Sequence, residues 1–112
     1  ALPISSLQHN RVAGIEKIVK EVHRVTRKGG EFLSIVRTDK DYAYGKAREI
    51  EPGTFTDYTA LDLNNVGHIH FFSAEELPRI FSVFSDMQYE YTERTIEDRS
   101  KSIRHWLVRS TK

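Results

Sequence analysis

Apolar residues recur at steps of three and four from Val12. Val12, Ile15, Ile18, Val19, Val22 and Val25 line one face, and Glu16, Lys17, Lys20, Glu21, Arg24 and Lys28 line the other. This spacing predicts an amphipathic helix over 11–28. Asn10 is the expected N-cap, and Gly29-Gly30 the left-handed stop after the last turn. The run Phe32-Leu33-Ser34-Ile35-Val36 that follows reads as a strand buried on both faces, and 2–7 reads as a short strand before the helix. Between 37 and 72 the breakers Asp39-Lys40-Asp41, Gly45, Pro52-Gly53, Asn64-Asn65 and Gly67 interrupt every period. A long loop is expected there, acting as a lid or binding loop. Ser73-Ala74-Glu75-Glu76 has the form of a capping box, and Leu77, Ile80, Phe81 and Phe84 continue as an apolar stripe in which Pro78 should distort the first turn. The last third alternates with period two. Met87, Tyr89 and Tyr91 stand on one face, then Ile103, His105 and Leu107 oppose Arg104, Trp106 and Val108, with a charged turn at 97–101. The order of elements predicts an α/β fold, a parallel pair of strands followed by an antiparallel C-terminal hairpin, with helices packed on the sheet.

A chain of 112 residues, 38% of them hydrophobic and 11% aromatic, supports one domain with an ordinary core and excludes global disorder. Seventeen basic against 16 acidic side chains leave a net charge of +1, far from the excess that a nucleic-acid footprint requires. The absence of cysteine removes disulfides, thiolate zinc sites and cysteine nucleophiles together. No apolar run reaches the length of a membrane span and no signal peptide opens the chain, so a cytoplasmic location is expected. The chain starts without Met and enters a helical pattern within a few residues, which suggests a processed or excised fragment.

At Val22-His23-Arg24-Val25-Thr26-Arg27-Lys28-Gly29-Gly30-Glu31-Phe32-Leu33 the sequence resembles the "E-x-x-R-V-L-K-P-G-G-x-L" segment of class I S-adenosylmethionine-dependent methyltransferases, with Thr26 in place of the usual Leu and Lys28 in place of Pro. His70-Phe71-Phe72-Ser73-Ala74-Glu75-Glu76-Leu77 is similar to the "H-x-F-(S/T)-x-E-E-(I/L)" stretch of the small-molecule members. The resemblance implies a partial Rossmann-like sheet. The whole chain, 1–112, would be the substrate-side C-terminal half of the family's fold, supplying its fourth, fifth, seventh and sixth strands in that order. The implied function is methyl transfer from S-adenosylmethionine to a small molecule. The family's cofactor site is a Gly-rich turn after its first strand, and the glycines here, at 14, 29, 30, 45, 53 and 67, form no G-x-G. The isolated chain is therefore expected to be inactive, and S-adenosylmethionine to belong to the intact protein alone. A noncatalytic binding or assembly module derived from the same fold is the alternative; an unrelated small α/β interaction protein is a further one.

In doubly wound sheets ligands lie beyond the carboxyl ends of the parallel strands. That rule selects His9 as catalytic base or acceptor-orienting group, and Gln8, Asn10, Arg37, Tyr42 and Tyr44 as substrate-binding residues; His70, in the second stretch of resemblance, is a further substrate-binding candidate. Ser5, Ser6 and Leu7 would form the one wall of the cofactor site that this chain retains. Each has a plain structural competitor: His9 and Asn10 as capping residues, Arg37 as the partner of Asp39 or Asp41, and the tyrosines as loop packing. Glu49 and Glu51 read as a solvated loop pair. His68-x-His70 lacks a third ligand at recognisable spacing, so no metal is expected. The basic residues of the last third alternate with Glu93, Glu97 and Asp98 and read as a solvated hairpin, with Tyr89 and Trp106 as its apolar faces. The first strand, lacking its family neighbour, is expected to pair with a missing N-terminal half or with a second copy of the chain.

Overall fold

The computed structural model describes residues 2–4, 7–56 and 67–112. Ser5 and Ser6, expected at the cofactor wall, lie outside the described residues. Strands Leu2–Ile4 (β1), Glu31–Arg37 (β2), Asp86–Ile96 (β6) and Lys101–Thr111 (β7) form a four-stranded sheet in the order β1-β2-β7-β6. β1 runs parallel to β2 over three residues, and β2–β7 and β7–β6 are antiparallel. The first strand is shorter than expected because Leu7 belongs to a single 3-10 turn, Leu7–His9, whose apolar side chain drops into the core.

Helix α1, Val12–Val25, presents Ile15 and Val19 to the sheet, both fully buried. They meet Phe32 and Val36 of β2, Val108 of β7, and Phe72, Leu77, Ile80, Phe81 and Phe84. Burial of this stripe is what holds a helix whose N-cap lacks a side-chain bond. That N-cap is Arg11 and not Asn10. Asn10 instead donates from Nδ2 to the Leu7 carbonyl at 3.2 Å. The orphan amide of Val12 is satisfied from 39 residues away, by the Glu51 carboxylate at 2.6 Å, an anion where the helix dipole favours one. At the other end Thr26 closes the helix, its hydroxyl donating to the Val22 carbonyl at 2.6 Å, and the Lys112 ammonium donates to the His23 carbonyl at 2.7 Å.

The segment between β2 and residue 72 is not a structureless loop. Arg48–Glu51 (β3), Thr54–Thr56 (β4) and Ile69–His70 (β5) make a second, antiparallel three-stranded sheet. Pro52-Gly53 is its hairpin turn: Pro sets one backbone angle, and Gly53 adopts φ +81°, as the residue after Pro in a type II turn requires. The two sheets meet where Thr38 bridges Phe72 in parallel and the Phe72 amide donates to the Arg37 carbonyl at 2.8 Å.

The Glu76 amide donates to the Ser73 hydroxyl at 3.3 Å, but this closes a turn ahead of the helix rather than capping it: the helix proper is one turn, Leu77–Ile80 (α2), and its N-cap is Glu76, not Ser73. Starting there, it places Pro78 in the first turn, where its missing amide had no partner to lose. Residues 74–76, the first turn of the expected helix, are a turn and not regular helix. In the closing hairpin Tyr89 pairs with Val108 and Tyr91 with Trp106, so the tyrosines share a face with Trp106 and Val108. Trp106 is more than an apolar face, since its indole N–H donates to the Phe72 carbonyl at 2.8 Å. Glu97, Asp98 and Arg99 turn the hairpin in three successive left-handed conformations.

Candidate functional site

The carboxyl ends of β1 and β2 gather Leu7–His9, Arg37 and the start of the second sheet. Gln8 is buried and accepts the Arg37 amide on Oε1 at 2.6 Å, tying the two strand ends together. Leu7 is part of the main core. His9 is exposed, with Nδ1 at 3.2 Å from the His68 carbonyl, and it is the residue of this turn that faces solvent. Arg37 is 9% exposed and pairs with the buried Asp41 at 3.1 Å. Asp41 also accepts the amides of Ala43 and Arg104, each at 2.9 Å. This carboxylate therefore locks the exit of β2 onto β7. Arg37, an expected substrate-binding residue, thus has its guanidinium paired with Asp41, one of the two partners its plain competitor names. His105, opposite Arg37 on β7, has its pKa lowered by burial first and then by the Arg37 and Arg94 charges, against an opposing pull from Asp41.

The two tyrosines part company. The Tyr42 amide donates to the Ser102 carbonyl at 2.9 Å, and its ring lies 5.3 Å from the Lys101 ammonium. Tyr44, 42% exposed, stands edge-on to Phe55 and Phe71 at 5.2 and 5.7 Å on the second sheet.

His70 is 1% exposed and has both ring nitrogens engaged. Nδ1 lies 2.8 Å from the Thr54 hydroxyl, and Nε2 contacts the Glu76 carboxylate. Thr54 in turn reaches Glu51 at 2.8 Å, and Glu76 meets the Ser73 hydroxyl at 3.1 Å. The result is a chain of contacts from the start of α1 through Glu51, Thr54 and His70 to Glu76. Burial works against the ionised form of Glu76, yet its bonds to His70 and Ser73 and the histidine charge outweigh that and hold its pKa below the ordinary value. Glu51 is likewise lowered, burial being outweighed by the Val12 amide, the Thr54 hydroxyl and the charges of His70 and Arg11. A buried imidazole with no free nitrogen presents nothing to a ligand from solvent. His70 is thus placed as a fastening between the second sheet and α2, not as a substrate contact, and Glu51 is a helix cap rather than a solvated loop residue.

Among the described residues no three His, Asp or Glu side chains converge as a metal site, and no helix is long and apolar enough to cross a membrane. A depression of about 480 Å³ lies at the opposite end of the sheet, lined by Val22, Val25, Thr26, Gly29, Gly30 and Phe32. It sits at the amino end of β2, away from the convergent polar groups. The role of Glu51 had no local sequence signal, whereas Pro52-Gly53 between Ile50 and Thr54-Phe55-Thr56 was a legible hairpin mark.

No protein-family profile matches the sequence, and no curated protein matches it. The fold does have a solved counterpart. A SAM-dependent methyltransferase from Methanosarcina mazei superposes with a TM-score of 0.66 at 16% identity, over 97% of this chain and 57% of the other. The chain has a methyltransferase-like fold. It spans little more than half the length of that solved chain.

Proposed function

We propose that the intact protein carrying this chain transfers a methyl group from S-adenosylmethionine to a small-molecule acceptor, and that residues 1–112 are the substrate-side half of the catalytic fold. The observation that carries this reading is the superposition over 97% of the chain onto a SAM-dependent methyltransferase. In this reading β1, β2, β7 and β6 are the fourth, fifth, seventh and sixth strands of the family's sheet, and the free edge of β1 receives the preceding half of the fold. The acceptor would lie beyond the carboxyl ends of β1 and β2, with His9 as base or orienting group and Asn10, Arg37 and Tyr44 around it. Methyl transfer demands chiefly in-line placement of the acceptor, because the sulfonium is already an activated leaving group.

The residues present do not by themselves make a cofactor cradle. Leu7 is in the core, Gln8 is occupied by the Arg37 amide, and no G-x-G turn is available to bring backbone amides close to the ligand. The same internal use of Gln8 and His70 favours the second reading, a noncatalytic module built on the fold.

Calorimetry separates the two. The isolated chain should bind S-adenosylmethionine more weakly than about 10 μM, roughly −7 kcal/mol. The full-length protein should bind it and transfer its labelled methyl group, with His9→Ala reducing turnover at unchanged melting temperature. A full-length protein that binds no S-adenosylmethionine overturns the enzymatic reading and leaves the module.

A further inference from the structure

The outer edge of β6 is the longest open edge among the described residues, and its backbone parity can be worked out. The Arg104 and Ser102 carbonyls accept the Thr38 and Tyr42 amides at 3.1 and 2.9 Å, and the Lys112 amide donates to the Gly30 carbonyl at 3.0 Å. Even-numbered residues of β7 therefore turn their amides and carbonyls away from β6. The Thr111 carbonyl, which accepts the Ser85 amide at 3.0 Å, marks the odd-numbered ones as facing β6. In an antiparallel ladder opposite residues exchange both bonds or none. Gln88, Glu90, Thr92 and Arg94, which lie opposite Arg109, Leu107, His105 and Ile103, are thus bonded to β7. Met87, Tyr89, Tyr91, Glu93 and Thr95 point their amides and carbonyls outward. The row contains no proline.

A charged edge normally guards a sheet against unwanted pairing. Here the charges are of opposite sign and four residues apart, so the strand is complementary to itself. Antiparallel pairing of two copies requires outward-facing residues to lie opposite one another, which puts the two-fold axis on a residue. With the axis on Thr92, Glu90 lies opposite the partner's Arg94, and Arg94 opposite the partner's Glu90. Both are non-bonded pairs, whose Cα atoms approach to about 4.5 Å and whose side chains stand closest. With the axis on Tyr91 neither ion pair forms. With it on Glu90 or Glu93, like charges face each other, which is destabilising. Within the chain the hairpin's ion pairs are Glu93–Arg104, Glu97–Lys101 and Asp98–Arg99, so Glu90 and Arg94 are not engaged in them. On the opposite face Tyr91, 58% exposed, meets its own copy diagonally across the axis, a spacing that aromatic rings bridge.

We propose that β6 is a self-recognition edge, through which two copies of the chain pair antiparallel about Thr92 into a continuous eight-stranded sheet with an isologous interface. The proposal is independent of methyl transfer and uses the edge opposite to β1. Sedimentation at about 200 μM, suited to the weak interface that one strand pair makes, should give twice the 13.0 kDa mass of the chain. Glu90→Arg and Arg94→Glu should each weaken the dimer more than tenfold, and the two together should restore it. Circular dichroism should show all three variants folded, since both side chains are exposed. Because the chain has no cysteine, Thr92→Cys should give a covalent dimer on mild oxidation, whereas Gln88→Cys should not. A monomeric wild type, a dimer indifferent to Glu90→Arg (as pairing through β1 would be), a folded double variant that stays monomeric, or crosslinking at Gln88→Cys in preference to Thr92→Cys would each overturn the proposal.

Discussion

The four-stranded sheet under α1 and the second sheet that follows Arg37 are held by different forces. The first closes on a continuous apolar layer in which Ile15, Val19, Phe32, Val36, Phe81, Phe84 and Val108 are buried together. The second has a small cluster of Ala43, Phe55, Ile69 and Phe71, and leans on charge: the Arg37–Asp41 pair at its entry and the Glu51–Thr54–His70–Glu76 chain through it. Apolar burial is insensitive to pH and tolerant of detail, whereas a buried polar chain is favourable only when every member is partnered. The two halves of this molecule should therefore fail under different conditions.

The largest effect is expected from the apolar layer. Phe32→Ala should cost about 4 kcal/mol, read as a shifted urea midpoint for the whole molecule; a loss confined to the second sheet would break the contrast. Asp41→Ala removes one member of a buried ion pair and orphans two backbone amides, so about 3 kcal/mol should be lost, with amide exchange accelerating first at Ala43 and Arg104. His70→Leu keeps the volume but strands Thr54 and Glu76. A loss of about 2 kcal/mol is expected, with exchange rising at Thr54 and Phe55 before Phe32.

Acid should act on the same side of the comparison. Glu76 and Glu51 have folded pKa values below their ordinary 4.5, so their contribution is complete above that value and lost as pH falls through the folded values. The second sheet should loosen as pH falls through the folded values of these two carboxylates while the apolar layer persists, which the Tyr44 environment and amide exchange would report. His105 is also lowered, from 6.5, and its contribution falls away as pH drops below that value. His105→Gln should remove this upper step and leave the acid one. The smallest effect is expected from the exposed Arg79–Glu16 pair at 2.8 Å, where Arg79→Ala should cost under about 0.5 kcal/mol.

Much of the first region was legible in the residues themselves. The period of Val12 to Val25 could be satisfied only by a helix with one buried face, and the alternation of 87–108 had to be a hairpin, because these are local geometric demands; the helix stop was not legible, since Thr26 closes the helix three residues before Gly29. What was not legible lay in contacts distant along the chain. Nothing near Asn10 announces that the helix is capped by Glu51, so the local cap was assigned to the wrong residue. Several described polar residues of this segment looked like loop composition because their partners lie on distant elements, as Glu51 does with the Val12 amide and Asp41 with the Arg104 amide. His70 carried the same ambiguity: a histidine beside Phe71-Phe72 reads equally as a ligand contact or a buried fastening. Amino-acid order determines period, turn chemistry and the sign of each charge, since these act over a few residues. Only the tertiary structure decides which buried donor meets which acceptor, because that choice often depends on positions far apart in the chain, 16 residues for Thr54 and His70 and 63 for Asp41 and Arg104.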